Sequence, residues 1–299
     1  MFPQPISPVG VGLPYIAGLP AELYRAGLVD FVEIAPETIC RQRSVRNSPL
    51  IELVPEQMKR ARDIVGAFPL AVHGVELSIG SVHGCNDAYL DMLDQFQSAW
   101  PFLWHSEHLG FQTIPGENNA TLQVGVPLPL PPVIEAAAIV AERSAAIGRR
   151  YGVPFLLENA AFYLPDLPAD PELGDDIGLI NAITQRSGCF LLLDLHNVYC
   201  NCINHGGHPM AAIDRMPLSR VLEIHVAGGS WREGFWMDAH DGRVPERVWE
   251  MLAYTLPRAA NVAGVVFEML DEHALRLNPA VIEDELRRAR EIWDLHRCR

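Results

Sequence analysis

Short runs rich in β-branched and aliphatic residues alternate along this chain with longer stretches of helical period. Eight such runs stand out: Val9–Leu13, Val29–Ala35, Pro69–Gly74, Pro101–Ser106, Pro154–Glu158, Cys189–Asp194, Val221–Val226 and Val262–Glu268. Their length and their near-continuous apolar character are those of parallel strands buried on both faces. Between them apolar residues recur at spacings of three and four in Pro55–Val65, Pro132–Arg149, Ile177–Gln185 and Arg247–Leu256, and a last helical stretch, Pro279–His296, follows the eighth run. Unbroken strand–helix alternation of this kind predicts a (β/α)₈ TIM barrel forming one domain over 1–299. An open doubly wound sheet is the competing arrangement, and it often carries a glycine-rich phosphate loop after its first strand. Here the first run reads Gly10-Val11-Gly12-Leu13-Pro14, which lacks the third glycine and runs into proline. No long linker, charge block or internal repeat divides the chain.

Composition agrees with a large packed core, since 49% of the 299 residues are hydrophobic and 20% charged. A formal net charge of −14 repels phosphate backbones and argues against general nucleic-acid binding. No run of about 20 apolar residues offers a membrane span. The N-terminal stretch MFPQPISPVG has neither a basic start nor an apolar core, so a cytoplasmic location is expected. Cys40, Cys85, Cys189, Cys200, Cys202 and Cys298 form no CxxC pair and are read as free thiols in a reducing compartment.

The candidate chemistry lies in what ends the strands. The third closes on His73-Gly74, and the fourth runs on through His105-Ser106-Glu107-His108. The fifth closes on Glu158-Asn159 and the sixth on Asp194-Leu195-His196-Asn197. The seventh carries Glu223-Ile224-His225, the eighth ends in Glu268, and Asp238-Ala239-His240 follows the seventh. In a barrel all these ends open on one rim. Carboxylates gathered there repel one another and cannot all ionise without a cation. Mixed imidazole and carboxylate donors suit iron, manganese or zinc, and their number exceeds the three or four protein ligands of a single zinc ion. More than one metal is therefore expected. His83, His105, His205, His208, His273 and His296 do not share the strand-end position and are read as structural or supporting, although the loop Asn204-His205-Gly206-Gly207-His208 could face the mouth. A serine-hydrolase elbow, an HExxH helix and a Walker loop are absent. Glu158 and Glu268 could form a glycosidase pair, but glycoside cleavage needs no imidazole cluster.

The motifs His73-Gly74-Val75-Glu76-Leu77-Ser78, Ser106-Glu107-His108, Leu157-Glu158-Asn159, Asp194-Leu195-His196-Asn197-Val198-Tyr199, Glu223-Ile224-His225-Val226-Ala227-Gly228 and Asp238-Ala239-His240-Asp241-Gly242 occur in this order. As an ordered set they resemble the MbnB/TglH family of multinuclear non-heme iron enzymes, and Glu33-Ile34-Ala35-Pro36-Glu37 looks like that family's early acidic motif. The resemblance runs from about Val9 to Glu268. It implies a TIM barrel with two or three iron ions of mixed ferrous and ferric state. With dioxygen as cosubstrate, such a centre would oxidise cysteine residues of a ribosomally made precursor peptide, often alongside a partner protein that recognises the peptide's leader. Carried over by position, His73 and His108 would be the terminal imidazoles of one iron and Glu158 a bridging carboxylate. Asp194, His225 and Glu268 would hold the second iron. Asp238 and His240 would hold a third position and stand as the catalytic pair, with either His196 or Asn197 completing it. Glu107 and Asn159 fall in supporting positions or act as weak ligands.

Two other functions fit the same residues. One is a divalent-metal sugar isomerase or endonuclease-like barrel, and the other a metal-storing or peptide-binding partner without catalysis. The stretch Val124-Gly125-Val126-Pro127-Leu128-Pro129-Leu130-Pro131 is read as a proline-stiffened loop packed on the barrel, or alternatively as a cover or docking surface.

Overall fold

The computed structural model describes residues 4–45, 48–115, 121–164 and 167–297, so Cys298 lies outside the described residues. Eight parallel strands close into a barrel: β1 (Gly10–Pro14), β2 (Phe31–Ile34), β3 (Leu70–Gly74), β4 (His105–His108), β5 (Phe155–Glu158), β6 (Phe190–Asp194), β7 (Val221–Ala227) and β8 (Gly264–Glu268). Each strand pairs with the next in sequence, and β8 closes on β1 with Gly10 opposite Gly264. These are the eight expected runs in the expected order. The fourth is displaced: the apolar stretch before His105 owes its character to packing, with Phe102 in the helix layer and Trp104 inside the barrel, and the ladder to its neighbours begins only at His105.

The five expected helices are present as Pro55–Val65, Ile134–Tyr151, Asp176–Ser187, Glu246–Thr255 and Pro279–Arg297. Further helices occupy Ala21–Arg25, Asp87–Ala99, Leu195–His205 and Pro209–Arg215. The helix Leu195–His205 starts directly off β6, because the Asp194 carboxylate accepts from the Asn197 backbone N–H at 2.6 Å and caps it. Three antiparallel hairpins interrupt the alternation: Cys40–Val45 with Ser48–Leu53, Gly110–Pro115 with Thr121–Pro129, and Ser230–Arg232 with Phe235–Met237. The proline-rich stretch expected as a loop thus runs largely as a strand, since Gly110 and Phe111 supply ladder partners to Pro129 and Leu128. No disulfide joins the described cysteines.

Side chains alternate across a strand with period two. One parity sends Phe31, Ala71, Trp104, Leu156, Phe190, Leu192 and Val266 into the barrel, where they form a separate apolar cluster; the other packs against the helices. A Cβ on Gly12 or Gly264 would come within 2.5 or 2.6 Å of the Phe31 ring. Gly12 and Gly264 therefore make room for a ring in the barrel floor.

Candidate metal centre

The same parity that places apolar side chains in the floor places polar ones at the rim. Two residues beyond Phe31, Ala71, Leu156, Leu192 and Val266 come Glu33, His73, Glu158, Asp194 and Glu268; Ser106 and His108 follow Trp104. Strand register then sets neighbours opposite one another, His108 facing Glu158 and Asp194 facing His225.

His73, His108 and Glu158 form one group. The Ser106 hydroxyl donates to the Val72 carbonyl at 3.2 Å, so its oxygen accepts from His73 Nδ1 at 3.0 Å. That leaves His73 Nε2 buried, without a hydrogen-bond partner, 3.4 Å from Glu158 Oε2. His108 Nδ1 donates to the Gly74 carbonyl at 3.1 Å, and its Nε2 lies 3.2 Å from the same carboxylate oxygen. Both imidazoles thus aim Nε2 at one unpartnered oxygen. Burial, reinforced by His108 and His225, holds His73 well below the usual imidazole range. Burial, then the charge of Glu268, pushes Glu158 well above the usual carboxylate range.

Glu158 also belongs to a second group with Asp194, His225 and Glu268, whose donor atoms all lie within 4.8 Å of one another. Asp194 uses Oδ1 as the helix cap, while Oδ2 is buried and unpartnered. Burial, with the charges of Asp238, Glu158 and Glu268, pushes Asp194 up to about 8. His225 lies between two carboxylates, with Nδ1 2.9 Å from Glu268 and Nε2 3.1 Å from Glu33. Burial disfavours its charged form, but Glu33 and Glu268 outweigh that and raise it well above the ordinary value. Burial likewise opposes ionisation of Glu268, yet His240 and His225 hold its carboxyl well below the usual range.

Asp238, His240 and His196 make a third group. Asp238 Oδ1 lies 2.7 Å from His240 Nε2 and 2.9 Å from His196 Nδ1. These two imidazoles outweigh burial and keep Asp238 strongly ionised. His240 has a φ of 50°, a left-handed conformation that a non-glycine residue adopts at some cost. The third group meets the second through His240 Nε2 and Glu268 Oε2, 3.8 Å apart. Of the two residues expected to complete this position, Asn197 keeps a buried, unpartnered Oδ1, whereas both ring nitrogens of His196 are engaged.

The supporting residues separate by the same parity. Glu107 lies on the other face of β4, paired with His105 at 2.8 Å and pushed up to about 8 by burial, so it sits outside the donor cluster. Asn159 pins the end of β6, donating to the Asp194 carbonyl and accepting from its N–H, each at 2.9 Å. His205 leaves the mouth to stack on Phe162 and bond its carbonyl at 2.8 Å. Sequence reasoning left two buried acids of the barrel interior unassigned. Glu33 braces His225, and Glu223 accepts from the Trp104 indole at 2.8 Å. Both stood in quoted motifs, and Glu223, two residues before His225 on one strand, carried a readable signal for the barrel interior.

Unpaired polar atoms this deep are costly. His73 Nε2, Glu158 Oε2 and Asp194 Oδ2 converge at the rim with such atoms, and metal ions would satisfy them. The donor chemistry therefore fits a multinuclear centre.

The model of the family described as RiPP precursor modification enzyme MbnB/TglH/ChrH matches residues 9–294. The chain belongs to this family. Its relatives include a UPF0276 protein of Caulobacter vibrioides, 32% identical over 293 residues and covering 96% of this chain and 95% of its own. A UPF0276 protein of Anaeromyxobacter is 33% identical over 225 residues, 75% of each chain. Among solved structures, a xylose isomerase domain containing protein from Salmonella typhimurium superposes with a TM-score of 0.59 at 13% identity, over 96% of this chain and 97% of its own. Endonuclease IV from Thermus thermophilus superposes with a TM-score of 0.51 at 16% identity, over 96% and 98%. Such low identities establish the shared barrel alone. Family membership makes modification of ribosomally synthesised precursor peptides the general activity and a precursor peptide the substrate class. Among the described residues, no helix is long and apolar enough to cross a membrane.

Proposed function

We propose that this chain is a dioxygen-dependent, multinuclear iron enzyme that oxidises a cysteine residue of its precursor peptide. The observation that carries the reading is the convergence of two Nε2 atoms, from His73 and His108, on the unpartnered Oε2 of Glu158, which also belongs to the Asp194–His225–Glu268 group. A carboxylate shared in this way is suited to bridge two ions. His73 and His108 would hold one, Asp194, His225 and Glu268 the other, and Asp238 with His240 a third. Bound iron would supply affinity for a thiolate and one-electron chemistry with dioxygen.

The chain's own residues do the rest. Ser106 and the Gly74 carbonyl fix the tautomers of His73 and His108, so each presents Nε2 without reorganisation. Glu33 does the same for His225 from Nε2, leaving Nδ1 toward Glu268. The carboxylates of Glu158, Asp194, Asp238 and Glu268 offset cationic charge in a water-poor rim. Trp231 and Phe235, exposed on the hairpin that leads into Asp238, offer apolar surface to a peptide at the mouth. The acidic surface of the chain favours a basic leader or partner protein.

The test is reconstitution with ferrous iron under reducing conditions, followed by metal analysis with Mössbauer spectroscopy. A cysteine-bearing precursor peptide is then added with oxygen and read by oxygen uptake and peptide mass. Two or more irons per chain and thiol-dependent oxygen consumption are expected. One metal or fewer per chain, or an unchanged peptide with no oxygen uptake, would sink the reading.

A further inference from the structure

His196 offers an imidazole to the third group, yet neither of its nitrogens is free. The Trp236 indole nitrogen lies 3.0 Å from His196 Nε2, and an indole N–H can only donate. His196 Nε2 must then carry its lone pair toward Trp236. The ring's one proton sits on Nδ1, where Asp238 Oδ1 accepts it at 2.9 Å. The indole is itself clamped. Asn204, on the helix Leu195–His205, donates to the Trp236 carbonyl and accepts from its N–H, each at 2.8 Å. The rings of Tyr199 and Trp231 stand edge-on to it, with centroids 5.8 Å away. His196 is wholly buried. A metal ion on Nε2 would have to displace the clamped indole, and one on Nδ1 would have to break the bond to Asp238.

We propose that His196 is a positioning residue that donates no ligand: fixed in its Nδ1–H tautomer by Trp236, it orients Asp238 toward the third metal position. Asp238 and His240 are then the donors this group supplies. The aromatic hairpin Ser230–Met237 is tied to the metal site through Trp236, His196 and Asp238 in series. The proposal rests on the metal-binding reading above, and its test separates the two.

Full-length protein labelled with ¹⁵N-histidine, stripped of metal, is examined by NMR and then titrated with zinc(II) as a diamagnetic probe. The expected result is a neutral His196 with its proton on Nδ1, retained when zinc saturates the sites. Metal content and chelator competition are compared for His196→Gln and Trp236→Phe. Glutamine can both accept from the indole and donate to Asp238, so His196→Gln should keep the weakest-bound metal within about threefold, whereas Trp236→Phe should weaken it about tenfold, as loss of a ligand's orienting partner does. Coordination by His196 would reverse the pattern. His196→Gln would empty the position, Trp236→Phe would leave affinity unchanged or raised, and zinc would move the His196 nitrogen resonances to those of a metal-bound ring. That pattern, or an Nε2–H tautomer in the metal-free protein, overturns the proposal. Should the protein bind no metal, the functional reading fails, while the tautomer of the metal-free ring still decides the role of His196.

Discussion

Raising the pH should weaken the metal-free protein, and Asp194 is one of several buried groups, with Glu107, His225 and His240, whose raised pKa drives the loss. The Asp194 carboxyl, ordinarily at 3.8, is raised to about 8 in the fold. Between those values the native state keeps a proton that the unfolded chain has lost, so stability is fullest below the unfolded pKa and drains away as pH climbs toward the folded one. Each pH unit in that window costs about 1.4 kcal/mol for one such group. A step from about pH 6.5 to about pH 7.5 starts at the ordinary imidazole pKa, so His73 and His105, held neutral in the fold by burial, oppose it by about 0.3 kcal/mol each. Asp194 alone then lowers the midpoint by about 2 °C. Glu158, also raised, adds in the same direction. The assay is thermal or denaturant unfolding in chelator at the two pH values, for the wild type and for Asp194→Asn. Asparagine keeps an oxygen for the Asn197 cap and removes the titration, so its slope should be shallower by about 1.4 kcal/mol per pH unit. With metal bound the sign reverses, because ligands must shed protons to bind. A metal-free stability that is flat or rises across the step, or an Asp194→Asn slope equal to that of the wild type, would refute the reasoning.

Ser106→Ala removes the hydroxyl that fixes the His73 tautomer, and should weaken metal binding by about 10- to 100-fold in chelator competition with little change in circular dichroism. Saturating metal should raise the unfolding free energy by about 2.7 kcal/mol at a hundredfold excess over Kd, and calorimetry after chelation should show that gain lost. Glu223→Gln keeps an acceptor for the Trp104 indole and should be nearly neutral in urea unfolding, whereas Glu223→Leu strands a buried N–H and should cost about 1–3 kcal/mol. Phe31→Ala should cost about 3–5 kcal/mol, and Gly12→Val, which drives a side chain into the Phe31 ring, about 1–3 kcal/mol or more.

The barrel and its rim donors were legible because both follow from local pattern. Buried parallel strands announce themselves as apolar runs, and a polar residue closing such a run must stand where the strands open. His73, Glu158, Asp194, His225 and Glu268 were all readable in this way. The fourth strand was less so, because Phe102 and Trp104 are apolar for the sake of packing. What escaped the sequence depends on distant partners. The brace from Glu33 to His225 spans 192 positions, and the bond from Trp104 to Glu223 spans 119. The engagement of His196 needs an indole 40 residues away on a short hairpin that has no strong strand signature. Glu107 shows the converse limit, since adjacency to His108 in sequence is what places it on the opposite face.

Phe31, Trp104, Phe190 and Leu192, each nearly or wholly out of contact with solvent, plug the barrel beneath the donors. Among the described residues this packing closes the barrel floor and leaves the donor cluster facing the rim. A peptide that reaches it must back out the way it came and cannot thread through. The geometry therefore favours a residue carried on a chain end or a pinched loop, presented once and withdrawn, over a segment fed past the rim cluster in steps.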